Sequence, residues 1–480
     1  MKKQIKFLAY GLFAAETVAA VILAVSVFSP EKPLVAVDDR LYDAYIKEDF
    51  SSKIEFIKKS EFPAKKNAAA SVTMQTYFPA LENSDGTDKI YFELESECLF
   101  PSVKADFSAP KKAQTVLSPG LSVSLTDAQN IPQGFRALPV NEKYAGEEGY
   151  ALEKKSAAVC EVYNSIYKKE IEDECARIFV FAKKAARTVF LGSVGDMMVA
   201  RGVQEILLSG PDGIQKVFRD TLPILQSNDI MSGNLEGVIT DSLKNAAKTY
   251  TFRFNKKVLP ELKRAGFNYL MQTNNHCYDF GEEGFRETML ALKEYGIPTS
   301  GAGMNINEAQ EFYTTSIKGQ EFSIISCGAY PVERSGFDGK KTASATETRA
   351  GILWESPQLI EAVKKEASAG RTVVVNVHGG QEYSFVPTKK QRDFYEKLCE
   401  AGAAAVLGSH PHVLQPVEWH GKSLIAYSQG NFIFNGMEEM YGATDSEIIR
   451  LGFFKGRPVY AERYQARIDG TSVSLGRLNY

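Results

Sequence analysis

The residues best equipped for chemistry in this 480-residue chain are its histidines, because there are only five: His276, His378, His410, His412 and His420. Two of them flank a proline in the stretch Leu407-Gly408-Ser409-His410-Pro411-His412-Val413-Leu414-Gln415-Pro416. The short apolar run before it, Ala403–Leu407, reads as a buried strand. Gly408 and Pro411 end that strand and stiffen the turn. A His-Pro-His turn places two imidazoles before any ion arrives, which suits metal ligation. His276 and His378 also follow short apolar runs, Tyr269–Thr273 and Thr372–Val377. Independent capping or core histidines have no reason to share that placement.

The elements that must position these rings begin at Thr188, where short apolar strands start to alternate with helical stretches, the signature of an α/β sheet. Strands are expected at Thr188–Val194, Ile230–Ser232, Tyr269–Thr273, Phe322–Cys327, Thr372–Val377, Ala403–Leu407 and Ser423–Tyr427, and helices at Gly284–Tyr295 and Lys389–Ala401. Polar clusters follow the strands: Gly195-Asp196, Gly233-Asn234-Leu235-Glu236, Asn274-Asn275-His276, His378 through Tyr383, and Ser428-Gln429-Gly430-Asn431-Phe432. Ligands of such sheets gather at the carboxyl ends of strands. Asp196, Glu236, Asn275, His378, His410 and His412 make a mixed oxygen and nitrogen set. It suits manganese, iron or zinc better than magnesium or calcium. Six ligands exceed one tetrahedral site, so one or two divalent ions are expected. A pair roughly 3.5–4 Å apart, sharing a carboxylate, would serve hydrolysis. His276 is then free to act as general acid. The six cysteines contain no Cys-x-x-Cys pair, so no zinc knuckle is signalled. Cys277, beside His276, reads either as a soft ligand or as a small buried residue.

Val194-Gly195-Asp196, Asn234-Leu235-Glu236, Asn274-Asn275-His276, His378 with Glu382-Tyr383, Gly408 to Gln415, and Tyr427 to Phe434 together resemble the bacterial capsule-synthesis CapA family. These are the poly-gamma-glutamate synthesis proteins, similar in fold to calcineurin-like metallophosphatases. The resemblance covers about half the chain, from Thr188 to Phe434. It implies an α/β fold of two sheets sandwiched between helices and a role in making or exporting an anionic envelope polymer. It further implies an anionic polymer or phosphoester substrate, contacts to it from Glu382 and Asn431, and partners among envelope-polymer synthase subunits. The departures are specific. Metallophosphatases carry Asp-x-His in the first motif, but Met197 and Met198 follow Asp196 here. The second motif offers Asn234 and Glu236 where an Asp is usual. Gly379 replaces a Trp, and Gln429 a Leu. The better-furnished metal position is therefore expected to use Asn275, His378 and His410 with Glu236, and the poorer one Asp196 with His412.

The rest of the chain frames this region. Lys2, Lys3 and Lys6 precede an apolar run from Phe7 to Phe28, long enough to span a bilayer. The basic flank should stay cytoplasmic, which places the bulk of the chain outside. Glu16 within the run is a cost, and a cleaved signal peptide is the rival reading. Residues 1–30 are thus expected to be a single-pass anchor or signal segment in the cell membrane. Residues 31–186 should form a small α/β domain, with a strand near Lys89–Leu94 and helical spacing in Ala157–Ala186. Residues 187–480 should form the metallophosphatase-like domain. A net charge of −3 argues against a nucleic-acid partner. Two functions are open. One is a membrane-anchored, outward-facing metal-dependent hydrolase of a phosphoester or polymer amide bond. The other is a non-catalytic accessory subunit of an envelope-polymer machine.

Overall fold

A computed structural model describes residues 187–476 without a break. Before them it describes 34–45, 54–62, 68, 70–77, 89–104, most of 124–162 and 168–179. The expected anchor at residues 1–30 lies outside the described residues. Among the described residues no helix is long and apolar enough to cross a membrane.

The chain divides into two compact units, one of Met1–Glu97 with Glu153–Ala185, the other of Cys98–Leu152 with Ala186–Tyr480. In the first, strand Leu34–Val37 pairs in parallel with Glu55–Lys58 and Ala70–Tyr77, and Glu153–Val162 runs antiparallel to Ala70–Tyr77. The helical spacing expected from Ala157 begins later. The chain stays extended to Val162, and the helix is Lys168–Phe179. Ile171 and Cys175, four apart on that helix, form its buried stripe.

The second unit holds two main sheets. The strands of these two sheets are β1 (Val189–Met198), β2 (Ile230–Leu235), β3 (Tyr269–Met271), β4 (Tyr313–Ile317), β5 (Gln320–Ala329), β6 (Thr372–Gly379), β7 (Ala403–Ser409), β8 (Val417–His420), β9 (Ser423–Ala426), β10 (Asn431–Phe434), β11 (Asp445–Phe454), β12 (Arg457–Asp469) and β13 (Ser472–Leu475). One sheet has the order β3-β2-β1-β11-β12-β13, with β10 also on β1; the other has the order β4-β5-β6-β7-β9-β8. Period-2 patterning assigns the faces. Val189, Leu191 and Ile230 of the first sheet meet Phe322, Ile324, Val374 and Leu407 of the second in one inner core. On the outer face of the second sheet, Val373, Val375 and Val377 pack against helices α2 (Pro357–Ser368) and α3 (Lys389–Glu400) through Leu359, Val363, Phe394 and Leu398. On the outer face of the first, Met231 and Leu235 meet Val203, Leu207, Leu259 and Leu292, the last from helix α1 (Gly281–Glu294). Strands buried on both faces read as continuous apolar runs, which is why these segments are visible in the sequence. Each fully buried Val, Leu, Ile or Phe contributes about 1.5–3 kcal/mol.

Residues 98–152 also contribute to this unit. Ala128, Ile131 and Tyr150 cover Phe454, Val459 and Tyr460. Arg457 donates from Nη2 to the Ile131 carbonyl at 2.8 Å, and also to that of Ala128.

Candidate metal centre

The central strands of both sheets run parallel, β3 with β2 with β1 and β5 with β6 with β7 with β9, so their carboxyl ends lie together. Register does the finer placement. Asp196 pairs with Asn234 on one side and Asn431 on the other, and His378 pairs with Ser409. A bulge lies just before Asp196: β1 takes three steps from Ser193 to Asp196 while β2 takes two from Ser232 to Asn234. Val194 and Met197 consequently both face the outer core, and Asp196 between them is turned to the opposite face. Here the backbone itself is crowded. A Cβ on Gly195 would lie 1.9 Å from the Gly430 carbonyl oxygen, and one on Gly408 would lie 2.0 Å from that of Tyr427.

The His-Pro-His turn is held under strain. His410 and His412 have φ of 100° and 60°, values that cost residues with a β-carbon roughly 1 kcal/mol or more each. The His410 backbone N–H donates to Asp196 Oδ2 at 3.1 Å, tying the turn to the end of β1.

Two groups of donor atoms result. Asp196, Glu236 and His412 each present one ligand atom within 4.8 Å of the others, all buried. Glu236 Oε1 stands 3.9 Å from Nε2 of His412, 3.9 Å from Nε2 of His276 and 4.0 Å from Nε2 of His378. In the second group, His378 Nε2 is 2.9 Å from Asn275 Oδ1 and 3.1 Å from His410 Nδ1. The Asn275 amide nitrogen donates outward to Glu333 Oε1 at 3.3 Å, which aims its oxygen inward.

The donor set fits a divalent cation. Both Glu236 oxygens and His410 Nε2 are buried without a hydrogen-bond partner. A buried charged group left so costs about 1–3 kcal/mol or more. The gaps across Glu236 are too long for hydrogen bonds. The one to His412, within the Asp196–Glu236–His412 group, leaves room for an ion with ligand bonds of about 2.0–2.2 Å. Electrostatics agrees. Burial, then the Asp196 charge, pushes the Glu236 carboxyl well above its ordinary range. Burial alone would raise Asp196 too, but the hydrogen bond and charge of His412 hold it below its ordinary value. Burial brings His378 down to about 3 and His410 well below its ordinary value. Both are therefore neutral, the form that ligates. His412 is the exception. Burial works against its charge, yet Glu236 and Asp196 raise it to about 10, so it supplies the only compensating positive ring in the cluster.

His276 lies against this cluster with its orientation set from behind. Its Nδ1 donates to Asp279 Oδ2 at 2.7 Å, and Asp279 Oδ1 accepts from Lys248 Nζ at 2.7 Å. The Lys248 side chain is fully buried and also pairs with Glu333 at 2.9 Å. The Phe252 ring packs against the imidazole at a tilt of 34°, with centroids 4.3 Å apart, and burial lowers the His276 pKa. Nε2 is thus the atom left facing Glu236.

The other sequence candidates are placed as follows. Asn431 is fully buried. Its Oδ1 is 2.9 Å from His412 Nδ1, and its amide nitrogen donates to the carbonyls of His412 and Ala443; in this geometry it orients His412. Glu382 is half-buried in the turn after β6, and its charge adds to the upward push on Glu236. Cys277 packs with Tyr278, Phe285 and Ala302 in an apolar cluster, its thiol pushed up by burial; it is the small core residue of the two readings. His420 stands on β8, away from the cluster, half-exposed near Glu400. Sequence reasoning gave no role to Ser409, Asp279, Lys248, Glu333 or Phe252. Asp279, three residues after His276, carried a local signal. Lys248, in the long loop before Phe252, carried none.

Residues 191–436 match the family described as Bacterial capsule synthesis protein PGA_cap. The chain is similar to PGA biosynthesis protein CapA of Bacillus subtilis (strain 168), 32% identical over 248 residues, covering 50% of this chain and 62% of that protein. It is similar to capsule biosynthesis protein CapA of Bacillus anthracis, 32% identical over 253 residues, covering 50% of this chain and 59% of that protein. The chain therefore spans about three-fifths of the length of these two relatives. Among solved structures, a novel phosphatase from Mycoplasma pneumoniae aligns with a TM-score of 0.38 at 10% identity, over 59% of this chain and 95% of that one.

Proposed function

The chain belongs to the bacterial capsule synthesis protein PGA_cap family, and from that premise we propose that it serves the making or export of an anionic, poly-gamma-glutamate-like envelope polymer as a metal-dependent hydrolase. The observation that carries the catalytic part is the buried Glu236 carboxylate, unpartnered between Asp196, His412 and His276. Asp196, Glu236 and His412 would hold one cation, and Asn275, His378 and His410 a second. Bound there, a manganese, iron or zinc ion would supply Lewis-acid activation of water and of the scissile phosphoryl or acyl oxygen. The chain's own residues then have separable tasks. Asp279 and Lys248 fix the His276 ring, so that Nε2 can give a proton to a leaving group beside Glu236. Asn234 donates to Asp196 Oδ1 at 2.8 Å, which sets that carboxylate. Glu333 keeps the Asn275 oxygen turned inward.

The accessory-subunit reading has one observation in its favour. Met198, where related phosphatases place an imidazole, is fully buried in the outer apolar core. Metal analysis of the purified full chain, with turnover assays on a phosphodiester and a γ-glutamyl amide, separates the two. Bound metal with turnover of either substrate is expected. Bound metal without turnover of any ester or amide would leave the accessory role.

The Phe7–Phe28 run, with Lys2, Lys3 and Lys6 before it, supports a single-pass anchor with the rest of the chain outside the cytoplasm. Protease added to intact spheroplasts should digest the protein. Full protection, or a mature chain starting near residue 30, would sink that topology.

A further inference from the structure

Arg201 follows the end of β1 and is exposed, yet its backbone sits at φ 54°, in the left-handed region that residues with a β-carbon avoid. Strain of this kind persists where the surroundings enforce it, and it clusters at binding and catalytic sites. The guanidinium is held in place. It lies over the Phe252 ring at 5.3 Å from the centroid, and Phe252 in turn packs against His276, ring centroids 4.3 Å apart and planes tilted by 34°. One donor, Nη1, reaches the Asn435 carbonyl at 3.2 Å. Gly436 leaves room for it, since a Cβ there would lie 3.2 Å from the same Nη1. No carboxylate among the described residues pairs with Arg201, whereas the buried Lys248 nearby has two. The arrangement is a fixed, uncompensated planar cation, one aromatic ring away from His276.

We infer that Arg201 binds an oxyanion of the substrate, a carboxylate or a phosphate, beside His276. Resting on the hydrolase reading above, this makes the substrate class one with an anionic group next to the bond presented to His276. The remaining N–H groups form the fork that matches either oxyanion bidentately. Stacking on Phe252 keeps that fork pre-organised, so little side-chain freedom is lost on binding.

The test uses the full chain, with inorganic phosphate and a γ-linked glutamate tetramer as separate calorimetric probes, alongside bound-metal content and Tm. Whichever probe binds identifies the oxyanion. Arg201→Gly should weaken it by about tenfold or more, the loss of one charge-assisted hydrogen bond. Metal content should not change. Tm should hold or rise, because glycine accepts the φ that arginine resists. Arg201→Lys should weaken binding by about threefold or more, keeping the charge and losing the fork, and is read in its place if the glycine variant does not fold. Smaller losses, or a parent that binds neither probe, overturn the proposal. A parent that holds no metal but still loses binding in Arg201→Gly would overturn the metal reading and leave this one standing.

Discussion

Glu236→Gln should stabilise the metal-free protein and abolish its stabilisation by metal. The wild-type carboxylate is fully buried, has no hydrogen-bond partner on either oxygen, and sits near the Asp196 charge, which together hold its pKa above the ordinary carboxyl value. For such a group the folded state prefers the proton. Its contribution is neutral below the ordinary value of 4.5 and grows more unfavourable as pH rises from there towards the raised folded value. Replacing the ionisable carboxyl by a neutral amide at pH 7 should therefore recover about 1–3 kcal/mol, because a buried ionisable group without partners costs more than a neutral polar one. In a unit of this size that is a rise in Tm of about 1–4 °C. The gap between variant and parent should close as pH falls towards 4, where both side chains are neutral. With a divalent ion the order reverses. The parent gains stability by mass action, and the variant, with one ligand weakened, gains little. The assay is thermal denaturation with chelator and with added manganese or zinc, at pH 7 and pH 4. A variant less stable than the parent under chelator, or one that keeps the full metal-induced shift, would refute the assignment of Glu236.

Three further outcomes are expected. His410→Ala should strip metal from the His378–Asn275 position, His412→Ala should affect only the other, and His276→Ala should keep metal and lose hydrolysis; bound-metal stoichiometry with turnover checks all three. Asp279→Ala should cost about 3–5 kcal/mol in urea denaturation, since it breaks a fully buried ion pair with Lys248; a loss under 1 kcal/mol would mean that Glu333 alone compensates the lysine. Residues 186–480 alone should melt below residues 98–480, because they lack the Ala128, Ile131 and Tyr150 cover over Phe454 and Tyr460; equal Tm values would show that cover to be dispensable.

The sequence alone determined seven strands of the second unit, β1, β2, β3, β5, β6, β7 and β9, and the polar residues at their carboxyl ends; β4, β8 and β10–β13, which complete the two sheets, carried no such signal. Strands buried on both faces must be apolar throughout, and a sheet's polar groups are tolerated where the strands stop. The stiff His-Pro-His turn and the scarcity of histidine are equally local facts. The exact strand ends were less legible: β1 carries on through Asp196, and β6 includes His378, because continuation depends on a partner strand rather than on the residues themselves. Tertiary structure alone decided which way the ligands point. The bulge before Asp196 reverses the parity that simple alternation would assign, and beside it Gly195 lies so close to the Gly430 carbonyl, some 235 residues on, that no side chain fits there. It also decided what stands behind them. Lys248 becomes a buried ammonium only because Asp279 and Glu333, from two distant loops, close on it. In the sequence it is one lysine among many, since desolvation is a property of the packed molecule and not of the residue.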